Sequence, residues 1–137
     1  MTKKRIYLNT GKRKTSIAKA ALKQDGTGRI LVNRVPYEAI PEEFYRNMIL
    51  EVVTLIGPEE FSNVDIYVRV TGGGRMSQYN AVRTAISKTM VEYKRSPILR
   101  ARIHEYDRSL LSGDARHTEP KKFGGRSARS RRQKSYR

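Results

Sequence analysis

The sequence predicts an α/β domain of the two-layer α+β kind, followed by a long basic extension at the C-terminus. Three observations predict it. Apolar residues alternate with a period of two in one stretch and recur at helical spacing in two others, so strands and helices share a core. Acidic and basic residues balance over residues 25–114, whereas both flanks are strongly basic. Residues 115–137 offer only Ala115, Phe123, Ala128 and Tyr136 as apolar groups, too few to build a core. The chain therefore divides into a globular domain, 1–114, and an extended basic tail, 115–137.

Along the domain, residues 5–9, 15–23 and 29–33 read as strands. In the second, Ala18, Ala20 and Leu22 share one face, while Ile17, Lys19, Ala21 and Lys23 take the other, so one face packs and the other is partly basic. Asp25-Gly26 between two extended runs predicts a hairpin. Pro41, Glu42 and Glu43 read as a first helical turn, because proline is tolerated where the amide is unpaired and acids are favoured by the helix dipole. Gly57-Pro58 stops that helix. Phe44, Met48, Val52 and Leu55 recur at close to helical spacing, and Tyr45, Ile49 and Ile56 broaden the stripe; all are expected in the core.

Val64, Ile66, Val68 and Val70 alternate with Asp65, Tyr67 and Arg69, the mark of a half-buried strand, which ends at Thr71-Gly72-Gly73-Gly74. A second helix is predicted over residues 77–93, with Val82, Ile86, Met90 and Tyr93 on one face and Ala85 and Thr89 beside them. Pro97 opens a shorter helix toward Tyr106, and the regular domain runs out near Leu111.

Charge points to the partner. In 137 residues, 29 Lys and Arg oppose 13 Asp and Glu, a net charge of +16. Residues 1–24 hold eight bases and no acid, and residues 115–137 hold nine bases and one acid, Glu119. Two flanks of +8 repel one another in a compact free state, so a polyanion is the natural counterpart. A membrane surface is the poorer fit, since no strongly basic amphipathic helix is visible. The longest apolar runs, residues 48–50 and 52–56, fall far short of the ~20 needed to span a bilayer. Cysteine is absent, which removes disulfides, thiolate metal sites and cysteine nucleophiles together, and no apolar leader follows the N-terminus. A cytoplasmic protein is the simplest reading.

Two segments are candidate anion sites. Gly72-Gly73-Gly74, between a strand and a helix, is either a tight turn or a place where bare amides and a helix N-terminus approach a phosphate. Arg75, Gln78 and Arg83 beside it favour RNA phosphate, and a β-branched residue at Gly73 is then expected to weaken RNA assembly more than the fold. Lys12, Arg13, Lys14, Thr15 and Ser16 bring three bases and two hydroxyls together as a phosphate clamp. Neither segment is a nucleotide P-loop: no Gly-Lys-Ser/Thr follows the glycines, and Arg13 occupies the position that needs a magnesium-binding hydroxyl. His104 and His117, the two histidines, lack motif neighbours. No catalytic residue, cofactor or metal site is expected.

Together these motifs resemble the family of the ninth protein of the small ribosomal subunit, in its archaeal and eukaryotic form more than its bacterial one. The resemblance rests on Gly-Lys-Arg-Lys-Thr-Ser-Ile-Ala at 11–18 and Val-Arg-Val-Thr-Gly-Gly-Gly at 68–74 with Gln78. Lys-Lys-Phe-Gly-Gly at 121–125 and Gln-Lys-Ser-Tyr-Arg at 133–137 complete it. It implies a fold related to the second domain of ribosomal protein five, packed on ribosomal RNA of the subunit head among neighbouring head proteins. It also implies a tail threading toward the decoding region. Lys121, Lys122, Arg126, Arg129, Arg131 and Arg132 would meet ribosomal RNA along the way. Lys134, Ser135, Tyr136 and Arg137 would meet peptidyl-site tRNA, with the terminal arginine beside the anticodon stem-loop.

The tail departs from the family pattern in places. Arg126-Ser127 stands where proline and glycine are frequent, Arg132 where an aromatic is common, and Ala115 where a proline usually follows Asp114; these changes keep or raise the charge. A chromatin-like nucleic-acid-binding protein is the alternative, and it would bind duplex DNA and structured RNA about equally. A phosphate-handling enzyme would instead turn over nucleotides.

Overall fold

The computed structural model describes residues 5–136. Strands β1 (Ile6–Arg13) and β2 (Ser16–Gln24) form an antiparallel hairpin turned at Lys14 and Thr15, with Arg13 opposite Ser16. The first strand thus runs four residues beyond the expected 5–9 and carries the basic segment with it. Strands β3 (Ile30–Val32) and β4 (Val35–Pro36) make a second hairpin around Asn33 and Arg34, both at positive φ (48° and 71°). The Asn33 side chain accepts from the Val70 amide at 3.0 Å and donates to the Val70 carbonyl at 3.3 Å, fastening that turn to its neighbour.

The sheet order is β1-β2-β5-β3-β4, with β5 (Val64–Thr71) at the centre, antiparallel to β2 and parallel to β3. This corrects the hairpin expected at Asp25-Gly26, because β2 and β3 are separated by β5. A parallel pair needs a long crossover, and the chain supplies one through helix α1 (Glu43–Ile56). Gly26 serves a close approach instead: its N–H donates to the Asn63 carbonyl at 3.0 Å, and a Cβ would stand 2.3 Å from the Asp65 nitrogen.

Helix α2 (Arg75–Lys94) lies across β1, β2 and β5, with α1 alongside it. Gly11 makes the fit possible, since a Cβ there would stand 2.1 Å from the Ala81 carbonyl oxygen. The core joins Ala18, Ala20 and Leu22 of β2, Ile66, Val68 and Val70 of β5, Ile49, Val52 and Ile56 of α1, and Val82, Ile86 and Met90 of α2. The expected faces of β2, β5 and α2 are therefore the buried ones.

Phe44 is the exception on α1. It is 60% exposed rather than in the core, because it sits in the helix's first turn, where its ring meets Tyr45 edge-on at 5.5 Å. Tyr45 in turn stacks on Tyr79 at 4.5 Å. Helix α3 (Pro97–Tyr106) starts on a Ser96 cap, whose Oγ accepts from the Leu99 amide at 3.3 Å, and α4 (Ser109–Ser112) closes the domain.

Asp65 is buried beneath the β2–β3 connection. The amides of Thr27 and Arg29 donate to its Oδ1 at 2.9 and 3.1 Å, and the Arg29 guanidinium reaches Oδ2 at 3.4 Å. Burial alone would push this carboxyl up, but those amides and the guanidinium together hold it below its ordinary value.

Residues 113–136 contain neither helix nor strand. Glu119 gathers Lys122 at 2.7 Å and Arg129 at 2.9 Å, and Phe123 and Tyr136 find no core.

Candidate nucleic-acid interface

The β1–β2 hairpin end and the glycine loop are built as one unit. Ser16 is wholly buried, and its Oγ donates to the Gly72 carbonyl at 2.9 Å; the Gln78 amide donates to the same oxygen at 3.0 Å. Gly72 and Gly73 have φ of 79° and 63°, and Cβ atoms there would stand 2.6 Å from the Thr15 carbonyl and 2.1 Å from Ser16 Oγ. These two glycines are therefore required by the hairpin packed against them. A branched residue at Gly73, expected to weaken RNA assembly more than the fold, would push directly into Ser16, so the fold bears a cost of its own.

Gly74 differs. Its φ is −93°, and a Cβ would meet nothing within 4 Å. It caps α2, so the helix's unpaired first-turn amides begin at an open surface.

Around this unit Lys12, Lys14 and Thr15 are exposed. Arg13 is partly covered, with Nη1 2.6 Å from Asp114 Oδ2. Arg116 also engages Asp114, and its guanidinium, followed by its amide, holds that carboxyl well below the usual carboxylate range. The first residues of the basic tail are thus pinned beside the basic hairpin.

Arg75 starts α2 with an exposed guanidinium paired with Glu42. Arg83 is placed differently from the other candidates: its side chain is 13% exposed, and Nη2 lies 3.0 Å from Glu51. Glu51 also accepts from the Tyr106 hydroxyl, so α1, α2 and α3 meet there. Ser16 and Gln78 hold the unit together and Arg83 ties α2 to α1, while Lys12, Lys14, Thr15, Gly74 and Arg75 form the unit's outer surface.

In the tail, Lys121, Lys122, Arg126, Arg129, Arg131, Arg132, Lys134, Ser135 and Tyr136 are exposed. Arg137 lies outside the described residues. Lys19, Arg34, Tyr67 and Arg69 were not singled out by sequence reasoning, yet the sheet brings them together on its other face. The signal for three of them was in the alternation: Lys19 occupies the outward phase of β2, and Tyr67 and Arg69 that of β5, whereas Arg34 is delivered by the β3–β4 turn.

Among the described residues no group of acids and histidines is placed to hold a metal ion, and no helix is long and apolar enough to cross a membrane.

A family model described as ribosomal protein S9/S16 matches residues 11–137. The small ribosomal subunit protein uS9 of Desulfurococcus amylolyticus is 52% identical over 133 residues, 97% of this chain and 94% of that protein. Its counterpart in Methanothrix thermoacetophila is 45% identical over 133 residues, 97% of this chain and 99% of that protein. The uS9 protein of Dictyostelium discoideum is 44% identical over 141 residues, 98% and 95% of the two chains. With the model match and these identities extending over nearly its whole length, the chain belongs to the ribosomal protein S9/S16 family.

Proposed function

We propose that this chain, a structural constituent of the small ribosomal subunit in the cytoplasm, binds ribosomal RNA of the subunit head and reaches peptidyl-site tRNA with its C-terminal tip. Its relatives are ribosomal proteins, and it is not an enzyme. The Arg13–Asp114 ion pair at 2.6 Å carries the RNA reading. It sets the start of the +8 tail beside the turn between β1 and β2, so that the tail leaves the domain at one corner, next to the basic hairpin end. That corner also presents Lys12, Lys14 and the open N-terminus of α2 at Gly74. An extended polyanion can neutralise all of these at once.

The tail extends the reach of this corner. Residues 115–137 at about 3.3 Å each span on the order of 75 Å, well beyond a body whose radius of gyration is about 13 Å. Ordering that segment costs roughly 1–2 kcal/mol per residue in backbone entropy. Its exposed Phe123 and Tyr136 cannot offset the cost, so its bases must meet phosphates.

The test is deletion of residues 135–137 in assembled small subunits. Assembly near the wild-type level with weaker peptidyl-site tRNA binding is the expected result. Subunits that hold tRNA as tightly as wild type would remove the tip from the tRNA site. Competition with duplex DNA decides against a general condenser, which would bind it as well as structured RNA.

A further inference from the structure

The face of the sheet opposite α2 has no element packed over it among the described residues. At its centre is Tyr67 of β5, its residue 43% exposed. Ala21 of β2 stands opposite Tyr67 on one side and Leu31 of β3 on the other, so a small residue leaves the ring open and an apolar one borders it. Lys19 stands directly opposite Arg69 across the same ladder. Arg34 rises beside them from the β3–β4 turn, which Asn33 fixes to Val70. These residues line a depression of about 720 Å³, within the roughly 300–1,000 Å³ of small-ligand sites.

Like charges directly opposite in an antiparallel pair are destabilising. The described residues offer Lys19, Arg34 and Arg69 no ion-pair partner; the acid on the same face, Asp65, is committed to Thr27 and Arg29. An external anion relieves that repulsion. Three cations around an accessible aromatic ring are the requirements of an unpaired nucleotide, whose base stacks while its phosphates are neutralised.

We propose that the uncovered sheet face is a second RNA site, which holds an unpaired nucleotide with its base on Tyr67 and its flanking phosphates among Lys19, Arg34 and Arg69. The proposal rests on the ribosomal RNA reading above and adds a surface that the hairpin, the glycine loop and the tail do not reach. A duplex does not fit it, because paired bases offer no free face to the ring.

The experiment compares assembled small subunits carrying the wild-type chain, Tyr67→Ala, Tyr67→Phe and Lys19→Ala, read by 2′-hydroxyl acylation of the RNA. In Tyr67→Ala subunits one short unpaired segment should become at least several-fold more reactive, while Tyr67→Phe, which keeps the ring, should match wild type. A photoreactive phenylalanine derivative at position 67 should crosslink to that same segment. In the free protein, Tyr67→Ala should weaken binding of an RNA containing the segment by about 5- to 100-fold. Lys19→Ala should weaken it too while raising the thermal midpoint, since it removes the like-charge pair.

An acylation profile in Tyr67→Ala subunits that superposes on wild type overturns the proposal, as does a crosslink to protein, which would make the face a protein interface. Failure of the ribosomal RNA reading is separately visible, because the wild-type chain would then protect no RNA anywhere.

Discussion

The Ser16 hydroxyl donates to the Gly72 carbonyl at 2.9 Å, joining the end of the first hairpin to the loop that feeds α2. The hydroxyl is buried, and the Gln78 amide shares its acceptor. Ser16→Ala should cost about 1 kcal/mol, the usual net worth of such a bond, because Gln78 still satisfies the carbonyl. Ser16→Ala with Gln78→Ala should cost more than the sum of the two single changes, since the oxygen is then left without a protein donor. Urea unfolding of the four proteins gives the coupling directly, and strict additivity would show that the two donors act independently.

Gly73 and Gly74 separate the fold from the surface. Gly73→Ala forces a side chain into positive φ against Ser16 and should lower stability by about 1–3 kcal/mol. Gly74→Ala meets nothing and should stay within about 0.5 kcal/mol of wild type. If RNA backbone approaches the start of α2, Gly74→Ala or the bulkier Gly74→Val will reduce subunit assembly with the unfolding midpoint unchanged. Normal assembly by both variants would show that RNA does not close on this loop.

Asp65 makes part of the stability dependent on acid pH. Its carboxyl titrates lower in the folded protein than in the unfolded chain, so the unfolded state takes up the proton first as pH falls. The stabilisation is therefore fully present above the ordinary carboxylate range and is lost as pH drops through the folded value. Asp65→Asn should be less stable by about 2 kcal/mol at neutral pH, having lost charge-assisted bonds to two amides and a guanidinium. The gap to wild type should narrow as pH falls below the ordinary carboxylate range. Thermal midpoints across that range check it, and a gap that stays constant with pH would rule out the linkage.

Arg83 and Lys14 are both basic, but they should fail differently. Arg83→Ala removes a covered guanidinium from Glu51 and should destabilise the protein, leaving the salt dependence of RNA binding unchanged. Lys14→Ala leaves the exposed hairpin turn structurally intact and should reduce the magnitude of the salt slope by about 1. Titrations at several salt concentrations, paired with unfolding curves, distinguish the two roles.

For the wild-type chain, if about half of the sixteen excess charges meet phosphates, the log-log slope of RNA affinity against salt should be about −6 to −7. A slope shallower than about −2 would contradict an interface made chiefly of phosphate contacts.

The elements that could be read from the sequence were those whose pattern is set within the element. Val64, Ile66, Val68 and Val70 alternate because one face of β5 is buried, and Val82, Ile86 and Met90 recur because α2 lies flat on the sheet. Connectivity was less accessible: Asp25-Gly26 has the composition of a hairpin turn, but the strand that takes the place beside β2 comes from 40 residues further along the chain. Phe44 fits the periodicity of α1 and still lies outside the core, because periodicity does not say where the sheet ends. The charge clusters at both ends were plain in composition. Which bases point outward was not, since Arg83 and Arg13 are separated from Lys12 and Lys14 only by partners, Glu51 and Asp114, that folding delivers.

The central place of β5 also governs how this chain emerges during its own synthesis. When the first 60 residues have left the exit tunnel, β2 and β3 are both complete, yet the strand that joins them is still inside. A lone two-stranded hairpin is marginal in water, and the apolar row Ala18, Ala20 and Leu22 then has neither β5 beside it nor α2 above it. Closure waits until about residue 94. Vectorial folding is therefore held back until about two-thirds of the chain has left the tunnel and then completed nearly at once, leaving a nascent chain whose basic hairpin is exposed before its core exists.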